Sequence, residues 1–266
     1  MVFVAMSGGV DSSVAALLLK NQGYNVTGVF MRCYNLDGCS EKDAVDARRV
    51  AAKLRIPFYV FDFEEEYKRG VVDYMIHGYR AGLTPNPDVM CNKQIKFGLF
   101  LEKALLLGAD YIATGHYVRK IGQSLYAAKD KNKDQSYFLW TLTQSQLKHC
   151  LFPIGDYEKS QVRKIAEKAG LPTAQKKDSQ GICFLGKVTL TDFLGRYIKQ
   201  ERGEVLTTTG QKIGEHQGAH LYTIGQRHIG VSGSEPKYVA EKDVKSNTVI
   251  LGSENDPALY KREIEL

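Results

Sequence analysis

Apolar and polar residues alternate along the first 120 residues in blocks of two lengths. Short apolar or β-branched runs predict buried strands at 2–6, 25–31, 58–61 and 111–114. The blocks between them have helical periodicity, at 14–20, 41–54, 64–82 and 92–107. Strands that alternate with helices predict an α/β fold, a doubly wound and mostly parallel sheet with helices on both faces.

After residue 120 this alternation stops. A hairpin is predicted at 118–129, turning at 121–124, followed by helices at 143–149, 158–169 and 191–199. From residue 203 the pattern is that of a small β-rich domain with short strands at 203–206, 220–224, 238–241 and 248–251. We therefore predict two domains, 1–200 and 201–266.

Composition limits the class of protein. The 266 residues are 43% hydrophobic, which is enough for a sizeable core, and no apolar stretch reaches the roughly 18 residues that a membrane span needs. Met1 leads directly into the first predicted strand, so we expect no signal peptide and a cytoplasmic protein. Five widely spaced cysteines do not suggest a secreted disulfide scaffold. The net charge of +6 permits a polyanionic partner without demanding one.

The first chemical signal follows the first predicted strand, in the segment Ser7-Gly8-Gly9-Val-Asp11-Ser12-Ser. Two glycines let backbone N–H groups approach an anion, and a helix N-terminus favours a phosphate. We expect Ser12 or the next serine to cap that helix. A Gly-Ser turn that only starts a helix is the alternative. No Walker A or G-x-G-x-x-G motif occurs.

Two cysteines lie in segments suited to reactive thiols. Cys91 follows a loop stiffened by two prolines and is predicted to begin a helix, where thiolate is stabilised, with Asp88 nearby as a candidate acid or base. The alternative is a helix-capping Asp beside a buried Cys. Cys183 lies between glycines, after Lys176 and Lys177, where a thiol can ionise and move. Because ligands of parallel sheets bind at the carboxyl ends of the strands, these segments are expected along one edge of the sheet.

The motifs now resemble those of one family, the bacterial tRNA-specific 2-thiouridylases (tRNA-uridine 2-sulfurtransferases) of the PP-loop ATP pyrophosphatase class. The resemblance runs across nearly the whole chain. The matching segments are 5–12, 28–31, 84–93, 113–117, 132–137, 177–184, 213–218 and 224–227. The segments around Cys91 and Cys183 are specific to this family, whereas the loop after the first strand is shared by many relatives. The implied fold is adenine nucleotide α-hydrolase-like.

The resemblance also implies roles at matching positions. Positions that bind ATP are Ala5, Met6, Ser7, Gly8, Gly9, Val10, Asp11, Ser12, Met31 and Gly115. Positions that face the target base are Asn86, Pro87 and Asp88, and those that contact tRNA are His116, Lys133, Asp134 and Gln135. Cys91 matches the nucleophile and Cys183 the cysteine that receives persulfide sulfur, and the two can form a transient disulfide.

The implied reaction transfers AMP from ATP to the C2 oxygen of the wobble uridine and replaces that oxygen with sulfur. Mg²⁺ is expected to offset phosphate charge, with Asp11 a candidate contributor; no metal ligand is assigned firmly. Sulfur on Cys183 either attacks C2 directly or is released when Cys91 attacks the persulfide. Asp88 is the candidate proton carrier. The expected partners are tRNA and a protein that donates persulfide sulfur, and no membrane.

Two other functions stay open. Another AMP-forming PP-loop enzyme, such as a tRNA lysidine synthetase or an amidating synthetase, would leave Cys91 and Cys183 unexplained. A non-catalytic tRNA-binding protein would leave the intact loop unexplained. Members of the family usually continue into a further C-terminal β-barrel, and this chain stops about where that barrel is expected to begin.

Overall fold

A computed structural model describes residues 1–34, 36, 39–178, 181–182, 184–186, 188–227, 229–230 and 236–260. The chain divides into two compact units. Residues 1–71 and 87–187 form unit 1, and residues 72–86 and 188–266 form unit 2. The boundary between the units lies at residue 187, and residues 72–86 group with the C-terminal part. The two domains predicted from the sequence, 1–200 and 201–266, stay a prediction.

The strands, in chain order, are β1 Val2–Ala5, β2 Val26–Arg32, β3 Phe58–Asp62, β4 Tyr111–Ala113, β5 Val118–Ile121, β6 Ser124–Ala127, β7 Cys150–Leu151, β8 Gly203–Thr207, β9 Lys212–His216, β10 Lys237–Asp243 and β11 Thr248–Ser253. The α-helices are α1 Val10–Asn21, α2 Cys39–Leu54, α3 Glu64–Tyr67, α4 Tyr74–Arg80, α5 Pro87–Met90, α6 Phe100–Leu106, α7 Gln144–Leu147, α8 Lys159–Lys168 and α9 Leu190–Leu194. Segments Lys68–Asp73 and Cys91–Leu99 are π-helical and join neighbouring α-helices.

Unit 1 is built on a parallel sheet of five strands in the order β3-β2-β1-β4-β7. All four residues of β1 are buried, because β1 is the central strand and both faces of the sheet are covered. The core between the sheet and helices α1, α2 and α8 is made of small and β-branched residues such as Val4, Val14, Ala51 and Val162. The predicted α/β class with a parallel sheet is confirmed.

The hairpin is also confirmed, because β5 and β6 pair with Ile121 opposite Ser124. Unit 2 contains helices α4 and α9 and a mixed four-stranded sheet in the order β10-β11-β8-β9. In that sheet β11 runs parallel to β8, and the other pairs are antiparallel. Its small core consists of Val205, Ala219, Val239, Val249 and Leu251.

Three predicted features of secondary structure were wrong. Residues 220–224 do not form a strand, because Leu221 N–H bonds to the Gly218 carbonyl and closes a 3₁₀ turn over Ala219–Leu221. Strands β7 and β9 were missed, since the first has two residues and the second carries few β-branched side chains. Helix α9 ends at Leu194, five residues before its predicted end.

Candidate functional site

The loop after β1 leads directly into α1. Gly9 is the N-cap residue, so the helix begins at Val10 and its first-turn N–H groups are available to an anion. The prediction that Ser12 or Ser13 caps this helix was wrong: both lie within the first turn, and their hydroxyls donate to the Gly9 carbonyl at 3.2 and 2.7 Å. The Ser12 hydroxyl also accepts the Ser7 N–H at 3.1 Å, which closes the loop.

Two glycines let this loop pack against its neighbours. Gly8 has a φ of +73°, and a Cβ at that position would collide with the backbone carbonyl of Asp43 in α2. A Cβ on Gly115, in the turn after β4, would lie 2.6 Å from the backbone nitrogen of Ser12. The loop is therefore held between α2 and the turn after β4 with room for backbone only.

A cavity of about 480 Å³ opens beside the carboxyl ends of strands β1 and β4 of the unit 1 sheet. Its walls come from the loop after β1, the turn after β4, the segment 132–138 and the helical segment that begins at Pro87. The predicted site residues that line it are Ser7, Gly9, Val10, Asp11, Asp88, His116, Lys133, Asp134 and Gln135. The cavity therefore brings together members of all three predicted groups: the ATP, target-base and tRNA positions.

Asp11 is held by two partners. The Lys159 ammonium donates to both carboxylate oxygens of Asp11, at 2.8 and 2.7 Å, and the Tyr117 hydroxyl donates to Oδ1 at 2.8 Å. Burial, followed by the charge of Asp11, raises the pKa of Tyr117 far above its ordinary value of 10.0. Tyr117 therefore stays a donor to Asp11.

Lys159 also contacts a second carboxylate, that of Asp178, at 2.8 Å. Lys133 lies 2.8 Å and Arg163 2.7 Å from the same carboxyl group. Burial raises the pKa of Asp178, but the hydrogen bonds from Lys133 and Lys159 and their charges outweigh it and hold this pKa at about 2. One ammonium thus joins the loop after β1 to the segment that precedes residue 183.

This low pKa predicts a loss of stability in acid. The folded-state pKa of Asp178 lies below its ordinary value of 3.8, so the unfolded chain binds the proton more tightly. The stabilisation, about 2 kcal/mol, is complete above pH ~4 and is lost as the pH falls towards ~2. In Asp178→Asn, urea denaturation at a series of pH values should show this part of the acid decline removed. The exposed control Asp156→Asn should keep it, and an unchanged decline in Asp178→Asn would contradict the assignment.

The helical segment that carries Cys91 begins four residues earlier than predicted. Pro87 occupies the first position of α5, where its missing N–H costs nothing, and Asp88 lies in the first turn. The expectation that Cys91 begins the helix was therefore wrong; it is half-buried in the second turn, where the helix terminus acts less strongly. Burial raises the pKa of Asp88 and the charge of Lys96 partly offsets this, which is favourable for a proton carrier.

The four predicted tRNA positions line the cavity but are engaged within unit 1. His116 is 7% exposed with Nδ1 2.8 Å from the Thr114 hydroxyl, and burial, together with Lys96, lowers its pKa well below 6.5. His116 is therefore neutral. Asp134 accepts the Ala128 N–H at 2.7 Å and the Ser136 hydroxyl at 2.8 Å.

Gln135 Oε1 accepts the Tyr117 N–H at 3.0 Å. Lys133, as described, is paired with Asp178. The side chains of this segment therefore shape the cavity wall, and their contact with tRNA stays a prediction.

Other predicted residues lie elsewhere. Met31 is the second-last residue of strand β2, and Pro87 is buried at the start of α5. Neither residue lines the cavity. Asn86 belongs to unit 2. Cys183 lies outside the described residues. Within the part of the chain that is described, no group of three or more His, Cys, Asp or Glu side chains is arranged to hold a metal ion.

Sequence reasoning did not single out several residues that line the cavity. These are Asp43, Asn92, Lys96, Tyr137, Phe138 and Lys159. Asn92 and Lys96 could have been found from spacing, because they follow Asp88 at intervals of four residues on a helix. Lys159 carried no such signal, since its partner Asp11 is 148 positions away in the chain.

Comparisons with known proteins agree with this geometry. The family model described as the tRNA methyl transferase HUP domain matches residues 1–187, and the tRNA methyl transferase PRC-barrel domain matches residues 191–253. A solved NMN synthetase from Francisella tularensis superposes with a TM-score of 0.45 at 16% identity, covering 67% of this chain and 66% of that one. The fold of residues 1–187 is that of a HUP domain.

Curated relatives are much more similar. The tRNA-specific 2-thiouridylases of Listeria welshimeri and Proteus mirabilis are each 51% identical, and that of Lactococcus lactis is 50% identical. Each alignment covers 94% of this chain and 70–72% of the relative. The chain belongs to the tRNA-specific 2-thiouridylase family. It spans about 70% of the length of these relatives. Among the described residues, no helix has the length and apolar character to cross a membrane.

Proposed function

We propose that this chain converts the wobble uridine of tRNA to 2-thiouridine in two stages, adenylation by ATP and then attack by persulfide sulfur. The reaction class, tRNA 2-thiolation by an ATP-using sulfurtransferase of the PP-loop type, follows from its family. The observation that carries the proposal is the cavity itself. It joins the glycine loop after β1, at Gly9, to a half-buried carboxyl group at Asp88 whose pKa is raised by burial.

In the first stage the uracil O2 attacks the α-phosphorus of ATP. The bond from that phosphorus to the bridging oxygen breaks, and pyrophosphate leaves towards the loop after β1. The first-turn N–H groups of α1 stabilise the charge that develops on the phosphates. As O2 bonds to phosphorus, N3 loses its proton, and Asp88, which lines the cavity, is the proposed acceptor. A carboxyl group whose pKa is raised by burial is a stronger base than an exposed one.

The cavity offers oxygen ligands that fit Mg²⁺. Asp11 and Asp178 both lie within 2.8 Å of the Lys159 ammonium, so their carboxylates already share one cation. Asp11 is the candidate to hold the ion, with phosphate oxygens completing its coordination. Bound Mg²⁺ would supply charge neutralisation at the phosphates. The Lys159 ammonium lies beside the loop after β1, so it can also pair with the phosphates of ATP.

In the second stage sulfur replaces AMP at C2. The terminal sulfur of a Cys183 persulfide attacks C2, and the C2–O bond to AMP breaks. The Cys91 thiolate then attacks the Cys183 sulfur, which releases thiouridine and leaves a disulfide between the two cysteines. Alternatively, Cys91 attacks the persulfide first and the released hydrosulfide attacks C2. Both routes end with the same disulfide, and a cellular thiol reductant must reduce it before the next turnover.

The partners follow from this chemistry. A protein that carries persulfide sulfur must load Cys183, and tRNA must present an unstacked wobble base, as in other enzymes that act on a base. Lys133 lines the cavity and Lys129 and Lys131 are exposed, and all three are candidates to contact the phosphate backbone of tRNA. Because tRNA is the substrate, we propose that the protein acts in the cytoplasm.

The test is mass spectrometry of nucleosides from unmodified tRNA incubated with the chain, Mg-ATP and a persulfide source. We expect 2-thiouridine together with one AMP and one pyrophosphate for each thiouridine formed. Leaving out ATP should abolish the product. Thiouridine formed equally without ATP would contradict the two-stage reaction. Repeated ATP cleavage, beyond one equivalent per chain, that needs no persulfide and forms no thiouridine would favour another AMP-forming enzyme.

A further inference from the structure

Three side chains form a stripe along the helical segment that begins at Pro87. Asp88, Asn92 and Lys96 are spaced four residues apart, which places them on the same side of a helix. All three line the cavity of unit 1. The middle member, Asn92, therefore lies between the proposed proton carrier and a lysine, on the wall where the target base is expected.

Asn92 is buried and one of its polar atoms is unsatisfied. The residue is 2% exposed, and its amide oxygen Oδ1 has no hydrogen-bond partner among the residues that the structure describes. Within the same residues, the other buried side-chain atoms of this kind belong to Thr141, His216 and His220, none of which lines the cavity. A buried acceptor without a donor costs stability, so its retention at a cavity wall points to a donor on the ligand.

We propose that Asn92 Oδ1 accepts the N3–H of the target uracil and so selects a pyrimidine that carries hydrogen on N3. This inference rests on the proposed function. The edge of uracil presents O2, N3–H and O4, an acceptor, a donor and an acceptor. The single donor is the group that an unpartnered acceptor requires. A base without hydrogen on N3 leaves Oδ1 buried and unpaired, and a site of this type rejects such a base strongly.

The same contact serves the chemistry of the first stage. Asn92 would hold the base by N3–H before the reaction. When O2 attacks phosphorus, this hydrogen bond is given up and the proton passes to Asp88, one turn away on the helix. Asn92 carries no proton in this step and changes no bond. It is a binding residue that orients the base and selects it.

The test compares anticodon stem–loop RNAs with uridine or 3-methyluridine at the wobble position, by fluorescence titration without ATP. The unmutated chain should bind the uridine RNA about tenfold more tightly. In Asn92→Ala the affinity for uridine RNA should fall about tenfold, while that for 3-methyluridine RNA should change little, so the preference disappears. The matched control is Gln94→Ala, an exposed amide in the same segment that does not line the cavity. It should keep the preference.

Thermal unfolding separates this role from a structural one. Because the amide oxygen of Asn92 is unsatisfied, its removal should not lower the melting temperature of Asn92→Ala by more than about 2 °C. Asn92→Asp keeps an acceptor of the same shape and should keep the preference for uridine. The inference is overturned if Asn92→Ala retains the preference, or if it weakens ATP binding and not RNA binding, which would assign the contact to adenine. Failure of the unmutated chain to form 2-thiouridine would instead contradict the proposed function, and this titration does not depend on that activity.

Discussion

Cys183→Ser should form no detectable 2-thiouridine while it still releases pyrophosphate from ATP in the presence of tRNA. Serine cannot carry a persulfide, so the second stage stops, whereas adenylation uses neither cysteine. The adenylated tRNA should accumulate to one equivalent per chain at most. Cys91→Ser should lose turnover to the same extent, at least ~10³-fold, because the sulfur is not released from Cys183. Mass spectrometry of nucleosides and a pyrophosphate assay measure the two stages separately.

Cys150→Ala is the control for these variants. Cys150 is fully buried in β7, and burial raises the pKa of its thiol to about 12, so it is an unreactive thiol. This variant should retain thiouridine formation. The proposal fails if Cys183→Ser makes thiouridine at the rate of the unmutated chain, or if Cys150→Ala loses activity while it remains folded.

Gly8→Ala should abolish ATP binding and reduce pyrophosphate release at least ~100-fold, because it displaces the phosphate-binding loop. Two costs coincide at this position. A φ of +73° is unfavourable for alanine, and its Cβ would meet the carbonyl group of Asp43, a backbone atom of α2 that cannot turn aside. The loop must then move away from α2, and its N–H groups no longer converge. Titration with ATP and the pyrophosphate assay give the result.

Gly23→Ala separates the two costs. Gly23 has a similar φ of +87°, but a Cβ there meets nothing within 4 Å. This variant should lose about 1 kcal/mol of unfolding free energy and keep its ATP affinity. If Gly8→Ala behaves in the same way, the close packing against α2 has no role in holding the loop.

The arrangement of charge in the cavity supports the proposed nucleotide site. Asp11 and Asp178 would repel one another if they shared no cation, and Lys159 bridges them. In the proposed complex, the phosphates of ATP would meet the Lys159 ammonium beside the loop, together with the N–H groups of α1. A partly buried network of this kind is expected to respond to substrate as a unit. Asp178 belongs to that network through its ion pairs with Lys159, Lys133 and Arg163.

Local features of the site were predictable because their causes are local. The segment from Ser7 to Ser12 predicts a phosphate loop, because the two glycines, the preceding apolar strand and the following helix are contiguous in sequence. The β5–β6 hairpin was predictable for the same reason. The start of the helix at Pro87 was missed, although proline in the first turn is a known signal. Pro87 and Asp88 form the first turn, so Cys91 lies one turn into the helical segment.

By itself the sequence determined the α/β class and the family, because these depend on periodicity and on contiguous motifs. Only the tertiary structure decided which distant side chains share the cavity. Lys159 meets Asp11 across 148 positions, and β7 becomes a strand only by pairing with β4. It also showed that Asn92 is buried with an unpartnered oxygen. Burial and hydrogen bonding are properties of the packed chain, since each depends on atoms that the sequence pattern does not place.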